Sequence, residues 1–312
     1  MVDFRKVREA VESAYDACKG MSGGKNASYI PFLADVDPSL FGMSVVLPSG
    51  ESFSIGDTSY VFGVESVSKV PTAILAMRQH GPEAILERIG ADATGLRFNS
   101  IFAMLLENDH PPTPLVNSGA ITACSMIEPK GDPEAKWTAI VDNMTDLMGS
   151  EPKLLAELYE SESSTNFENR SIAWLLKSYD RIYDDPMESL DLYTRQCSLG
   201  VTCDQLAIAA ATIANDGLNP VTGKRAFDAG YAPKVVSLIA TVGFYERTGD
   251  WMYEAGIPGK TGVGGGIMAM MPGEFGIAAF SPPLDEHGNS VKAQAAIKHT
   301  MGEIGMNVYG AR

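Results

Sequence analysis

Side chains that build metal centres or disulfide scaffolds are scarce in this chain: four cysteines and four histidines among 312 residues. The cysteines stand at 18, 124, 197 and 203, with no Cys-x-x-Cys pair, and three lie in apolar stretches of helical spacing. The expectation is buried free thiols in a reducing compartment. The histidines, at 80, 110, 287 and 299, form no His-x-x-x-His pair, so no metal site is expected. Long apolar runs are missing too. No stretch approaches the roughly 20 apolar residues that cross a bilayer. The N-terminus, Met-Val-Asp-Phe-Arg-Lys-Val-Arg, lacks the apolar core of a secretory signal. A cytoplasmic location is the expectation. Positive charge is in deficit: 24 Lys and Arg against 39 Asp and Glu leave a net charge of −15. That argues against nucleic acid and anionic membranes as partners.

What is present is enough apolar material, 45% of residues, for one large domain or two interlocked subdomains. Residues 3–19 read as a first helix, with Asp3 as cap and Val7, Ala10, Val11 and Ala14 at helical spacing. Phe41–Leu47 and Ser52–Gly56 flank the turn signal Pro48-Ser-Gly50 and read as a β-hairpin. From 66 to about 224 the pattern is helical, with candidates at 66–79, 83–88, 99–106, 117–127, 134–148, 151–160, 167–178, 186–194 and 203–215. Residues 230–245 look like one more helix. The texture then reverts to strands at Val263–Met271 and Phe275–Phe280, and Ser290–Met306 is a terminal amphipathic helix. The fold class expected is α+β. Both chain ends, 1–65 and 225–312, would form an antiparallel sheet flanked by helices. Residues 66–224 would form an inserted helical lobe, with the site in the cleft between.

The chemistry starts at Ser66 and Lys69. If a helix opens near Ser66, residues three apart stack on one face, and hydroxyl meets amine. A serine hydroxyl is a poor nucleophile until a base takes its proton, and a lysine serves once burial or nearby cations suppress its charge. A helix start also favours a developing oxyanion. Pro71 lacks an N–H, so the first turn must be short, kinked or partly 3₁₀. Gly259-Lys-Thr-Gly262 has the look of a phosphate-binding loop, but that pattern wants glycine where Glu254 stands and a helix where Gly262–Gly266 follows. Read instead as a strand, Lys260 brings a cation near the serine. The glycines let the backbone approach a substrate, and the Val263 N–H can join that of Ser66 in an oxyanion hole.

Ser66-Val-Ser-Lys69 and Lys260-Thr-Gly262, in that order around a helical middle, resemble the serine β-lactamase and penicillin-binding protein superfamily. Further motifs narrow the resemblance: Tyr29-Ile-Pro31, Pro114–Ala120, Ser161–Arg170, Tyr193–Ser198 and Gly243-Phe-Tyr245. Together, over about residues 25–285, they resemble the glutaminase family. The resemblance implies Ser66 as nucleophile, Lys69 as its base and Tyr245 as a proton carrier to the leaving ammonia. It implies Tyr29, Asn117, Glu162, Asn169, Tyr193 and Tyr245 as substrate contacts, with Lys260 and Val263 beside them. L-glutamine fits that set: Glu162 supplies an anion for the α-ammonium, and the Asn117 and Asn169 amides and the Tyr29 hydroxyl supply donors for the α-carboxylate.

Each residue also has an ordinary role open to it. Glu162 reads as a solvated carboxylate, Asn117 as a helix N-cap, and Tyr193 and Tyr245 as half-buried packing. The expected activity is hydrolysis of L-glutamine to L-glutamate and ammonia through a serine glutamyl ester, without a cofactor, in a homo-oligomer (dimer or tetramer). The alternatives are a penicillin-recognising acyl transferase or β-lactamase-like hydrolase, and a non-catalytic binding module on the same scaffold. A missing export signal and a free-amino-acid pocket at Glu162 speak against the first. Ser66, Lys69 and Lys260 together speak against the second.

Overall fold

Pro48 and Gly50 turn the first strand back on itself, with Gly50 at φ 89°, a conformation glycine adopts without strain. The computed structural model describes residues 2–93 and 95–310. Its strands are β1 (Gly42–Val46), β2 (Ser52–Gly56), β3 (Phe62–Gly63), β4 (Lys153–Leu154), β5 (Leu199–Val201), β6 (Gly259–Thr261), β7 (Gly266–Met271) and β8 (Phe275–Phe280). β1 and β2 pair antiparallel with Val45 opposite Phe53, the hairpin expected from the sequence. β1 then pairs antiparallel with β8, Val45 opposite Ile277, so the two chain ends do share one sheet. The order in this five-stranded sheet is β2-β1-β8-β7-β6.

Alternation along the strands sends side chains to two cores. Met43, Val45, Ile267, Ala269, Met271, Ile277 and Ala279 pack with the helices Phe4–Cys18 and Val291–Ile304. Val46, Met268, Met270, Ala278 and Phe280 face the other way, into the core that runs through the helical middle. Helix Cys203–Ala214 lies on this second face. A Cβ at Gly276 would stand 2.0 Å from the Ala211 nitrogen, so helix backbone sits directly on strand backbone. The run Ala209-Ala-Ala211 and Gly276 permit that approach.

Residues 151–160, expected as helix, instead hold β4 and the start of a helix at Ala156–Thr165. β4 and β3 flank β5 in a second small sheet, with Lys153 and Gly63 both opposite Gly200. The expected helix at 230–245 is a 3₁₀ turn at Ala229–Tyr231 and a helix at Ala232–Val242; a second 3₁₀ turn, Tyr245–Arg247, leads into a helix Thr248–Ala255 that the sequence did not announce. The 66–79 segment opens as a 3₁₀ turn, Glu65–Ser68, before the helix Lys69–His80. Pro71 falls in the first α-turn, where its missing N–H has no carbonyl to satisfy. Among the described residues no helix is long and apolar enough to cross a membrane.

Candidate active site

The 3₁₀ turn after β3 carries the nucleophile candidate. Val64 N–H donates to Leu199 O at 2.8 Å, which anchors the turn to β5. Glu65 then takes φ 51°, a left-handed conformation uncommon for a residue with a side chain. Ser66 follows, and Lys69 Nζ lies 2.5 Å from its Oγ. Lys69 is 1% exposed and its ammonium stands 5.2 Å from the Tyr193 ring centre. Burial holds its pKa below the ordinary 10.5, against the opposing pull of Cys197, Glu65 and Glu162. A buried amine in contact with a hydroxyl, and disposed to be neutral, has the chemistry of a base.

Tyr245 lines the same chamber as Ser66, near enough for the serine hydroxyl to act on its phenol. It too has a left-handed backbone, φ 54°, at the start of its 3₁₀ turn. Gly243, two residues earlier, lies so close to β6 that a Cβ would stand 1.9 Å from Gly259 O. This contact sets the Tyr245 turn against the strand. Burial raises the Tyr245 phenol, and the Ser66 hydroxyl opposes that rise. Lys260 points from β6 beneath the tyrosine: its Nζ donates to Tyr245 Oη at 3.0 Å and to Thr261 O at 2.7 Å. Lys260 is fully buried and does not line the chamber, so it supports Tyr245 from behind. Burial, then the charge of Lys69, pushes its pKa well below 10.5.

After β6 the chain passes across the nucleophile turn. A Cβ at Gly262 would stand 2.9 Å from Val64 O, and one at Gly264 2.2 Å from Gly63 O. Glycine at both positions lets Val263 reach the chamber wall beside Ser66. Asn117 does not cap its helix. Val116 holds that position, and the Asn117 side chain faces the site. Tyr193 Oη donates to Asn117 Oδ1 at 3.0 Å, and Asn117 Nδ2 donates to Asn169 Oδ1 at 2.9 Å. The three residues therefore hold one another's orientation across three helices. Glu162 is half-buried, with its Oε1 out of contact with solvent and without a partner. Burial raises its pKa. Tyr29 as a whole is 61% exposed at the mouth, while its phenol is raised by desolvation and then by Glu65 and Glu162.

The structure thus brings Tyr29, Ser66, Asn117, Glu162, Asn169, Tyr193, Tyr245 and Val263 around one chamber of about 90 Å³, with Lys69 and Lys260 behind it. The chamber opens to a vestibule of about 610 Å³ that shares Tyr29, Glu162 and Val263 with it. Sequence reasoning missed Glu65, Phe98, Cys197 and His287, which also line the chamber. Two of them carried a signal: Glu65 stands next to Ser66, and Cys197 lies within Tyr193–Ser198. All four cysteines are free and buried, as their apolar settings led one to expect. Among the described residues, no three His, Cys, Asp or Glu side chains are grouped to hold a metal ion.

A two-faced antiparallel sheet, a helical middle and a Ser-x-x-Lys helix start beneath a Lys-Thr-Gly strand place the chain in the β-lactamase-like fold. Within that fold, the Glutaminase family model matches residues 24–309, and the chain belongs to the glutaminase family. It is 66% identical to a glutaminase of Bacteroides thetaiotaomicron over 308 residues, 99% of this chain and 96% of that one. A solved structure described as probable glutaminase ybaS superposes with a TM-score of 0.97 at 45% identity, covering 99% of this chain and 100% of that chain. The solved structure of Mglu in its glutamate form superposes with a TM-score of 0.91 at 31% identity, covering 96% and 68%.

Proposed function

We propose that the protein hydrolyses L-glutamine to L-glutamate and ammonia through a glutamyl ester on Ser66. The observation that carries this reading is the 2.5 Å contact between Ser66 Oγ and the buried Lys69 amine. Lys69 takes the hydroxyl proton as Oγ attacks the side-chain amide carbon. Charge collects on the amide oxygen, which points at the N–H groups of Ser66 and Val263; the first turn of a helix leaves such groups without intrahelical partners. Tyr245, near Ser66 and in contact with Lys260, passes a proton to the departing ammonia. Water then cleaves the ester. The α-ammonium sits at Glu162, and the α-carboxylate accepts from Asn117, Asn169 and Tyr29, with Tyr193 holding Asn117 in place. The solved glutamate form of Mglu, a neighbour of the same fold at 31% identity, supports glutamate as a ligand of this fold.

The test is ammonia release from glutamine and asparagine, run beside hydrolysis of a chromogenic β-lactam. Glutamine turnover is the expected result. β-lactam hydrolysis without glutamine turnover would favour the penicillin-recognising alternative. We further propose a homo-oligomer, dimer or tetramer, because Phe102, Leu105 and Leu106 stay exposed in one short segment, at 64%, 49% and 69%. Light scattering on the purified protein would return a monomer mass if this is wrong.

A further inference from the structure

Two carboxyl groups meet at the chamber wall, and only one of them, Glu162, has a task in the reaction described above. Glu65 and Glu162 line the same chamber, each with a buried Oε1 that no donor reaches, and the two carboxyls are close enough to shift one another's protonation. Two carboxylates have only acceptors, so a hydrogen bond between them requires a proton on one. We propose that Glu65 is the proton-bearing partner, donating to Glu162 so that its carboxylate is oriented and the pair holds one negative charge for the substrate's α-ammonium. The inference rests on the glutaminase reading of the site.

The surroundings favour this assignment. Glu65 is 3% exposed and held at φ 51°. Gly63 and Gly264 close over it: their Cβ positions would lie 3.5 Å from Glu65 Oε1 and 3.3 Å from its Cγ. Little room remains for water to solvate a second charge. Desolvation, then the Glu162 charge, raises Glu65 well above the ordinary 4.5. Such a hydrogen bond works the opposite way on Glu162, stabilising its charged form against burial. The other titratable groups around the pair are Lys69, Tyr29, Tyr193, Cys197, Tyr245 and His287. Lys69, whenever it carries a proton, lowers both carboxyls, and the pair holds its one charge next to the amine that serves Ser66. Glu65 acts through Glu162 and is a positioning residue.

The test begins with wild-type turnover of glutamine. Failure there would overturn the glutaminase reading while leaving the pair to be judged spectroscopically. Infrared spectra at neutral pH, without substrate, should show a protonated-carboxyl stretch that shifts in D₂O and is lost in Glu65→Gln. The pH profile of 1/KM gives the second readout. As pH falls, Glu162 takes up a proton and glutamine binding is lost. Glu65→Leu removes the donor and should move this acid limb upward by about one pH unit. It should also raise KM at least tenfold, more than it lowers kcat. Glu65→Gln keeps a donor and should move the limb by less than half as much. The proposal is overturned if no carboxyl band disappears in Glu65→Gln, or if the limb moves equally in both variants. Should the leucine variant not fold, a shift of a full unit in the glutamine variant overturns it as well.

Discussion

Removing the charge of Glu162 while keeping its shape is the sharpest perturbation of the proposed ammonium pocket. Glu162→Gln is nearly isosteric, and although the residue is half-buried its Oε1 is shut off from solvent, so the contribution of that oxygen is little diluted. The wild-type Oε1 has no partner in the free protein, which leaves it available to a bound ammonium. A charge-assisted hydrogen bond contributes about 1.5–3 kcal/mol, so its loss should weaken glutamine by roughly 10- to 150-fold. The effect should sit near the upper end, because the new amide turns donors toward a cation. N-acetylglutamine perturbs the same contact from the other partner. It lacks the charge, would leave the enclosed Glu162 Oε1 unpaired, and must fit a chamber of about 90 Å³. Wild type should therefore prefer glutamine by about a hundred-fold or more in kcat/KM, and Glu162→Gln should shrink that preference to about tenfold. The assay is ammonia release from both substrates by both proteins, with circular dichroism to confirm the fold. Equal wild-type rates on the two substrates would refute the ammonium pocket and point to a peptide-like substrate.

Ser66→Ala should lower turnover by up to about a million-fold while glutamate binding, measured by calorimetry, is largely kept; a tenth of wild-type activity would exclude the covalent ester. Because the base must be neutral and burial lowers Lys69 below 10.5, kcat/KM should rise with pH through a value under 10.5. Any alkaline fall from Tyr245 should begin above its ordinary 10.0, since burial raises that phenol. A flat profile between pH 6 and 10 would remove Lys69 from the role. Gly276→Ala puts a methyl 2.0 Å from the Ala211 nitrogen, a backbone atom that cannot swing aside. It should cost about 3 kcal/mol or more and lower the melting temperature clearly; an unchanged melting curve would contradict the close seating of helix 203–214 on the sheet.

The hairpin, the late strands and the terminal helices were readable because their alternation and turn residues agree with the tertiary result, as at Pro48–Gly50 and Pro272-Gly273. β4 and β5, of two and three residues, are too short for any period to register. They exist because Gly200 lies where both neighbours can pair with it. Helix 248–255 was missed because Gly249 interrupts its first turn. At the site, Ser66 and Lys69 announced themselves by spacing, but Lys260 did not announce that it would stand behind Tyr245. Glu65 drew no reading from the sequence. Its burial comes from Gly264, about two hundred positions along the chain, which no local pattern reveals.

That distance has a consequence for how the enzyme comes into being. The ribosome delivers the nucleophile turn early, yet the wall that faces it, β6 and Val263, emerges only in the last fifth of the chain. β1 meanwhile waits with one edge unpaired until β8 arrives. Contacts of such sequence separation form slowly, and exposed edges invite association with other chains. A nascent chain arrested before residue 259 would carry Ser66 and Lys69 with no opposing strand to complete the proposed oxyanion hole. Hydrolytic activity should therefore switch on late in synthesis and abruptly, leaving partly made chains inert toward the cell's amides.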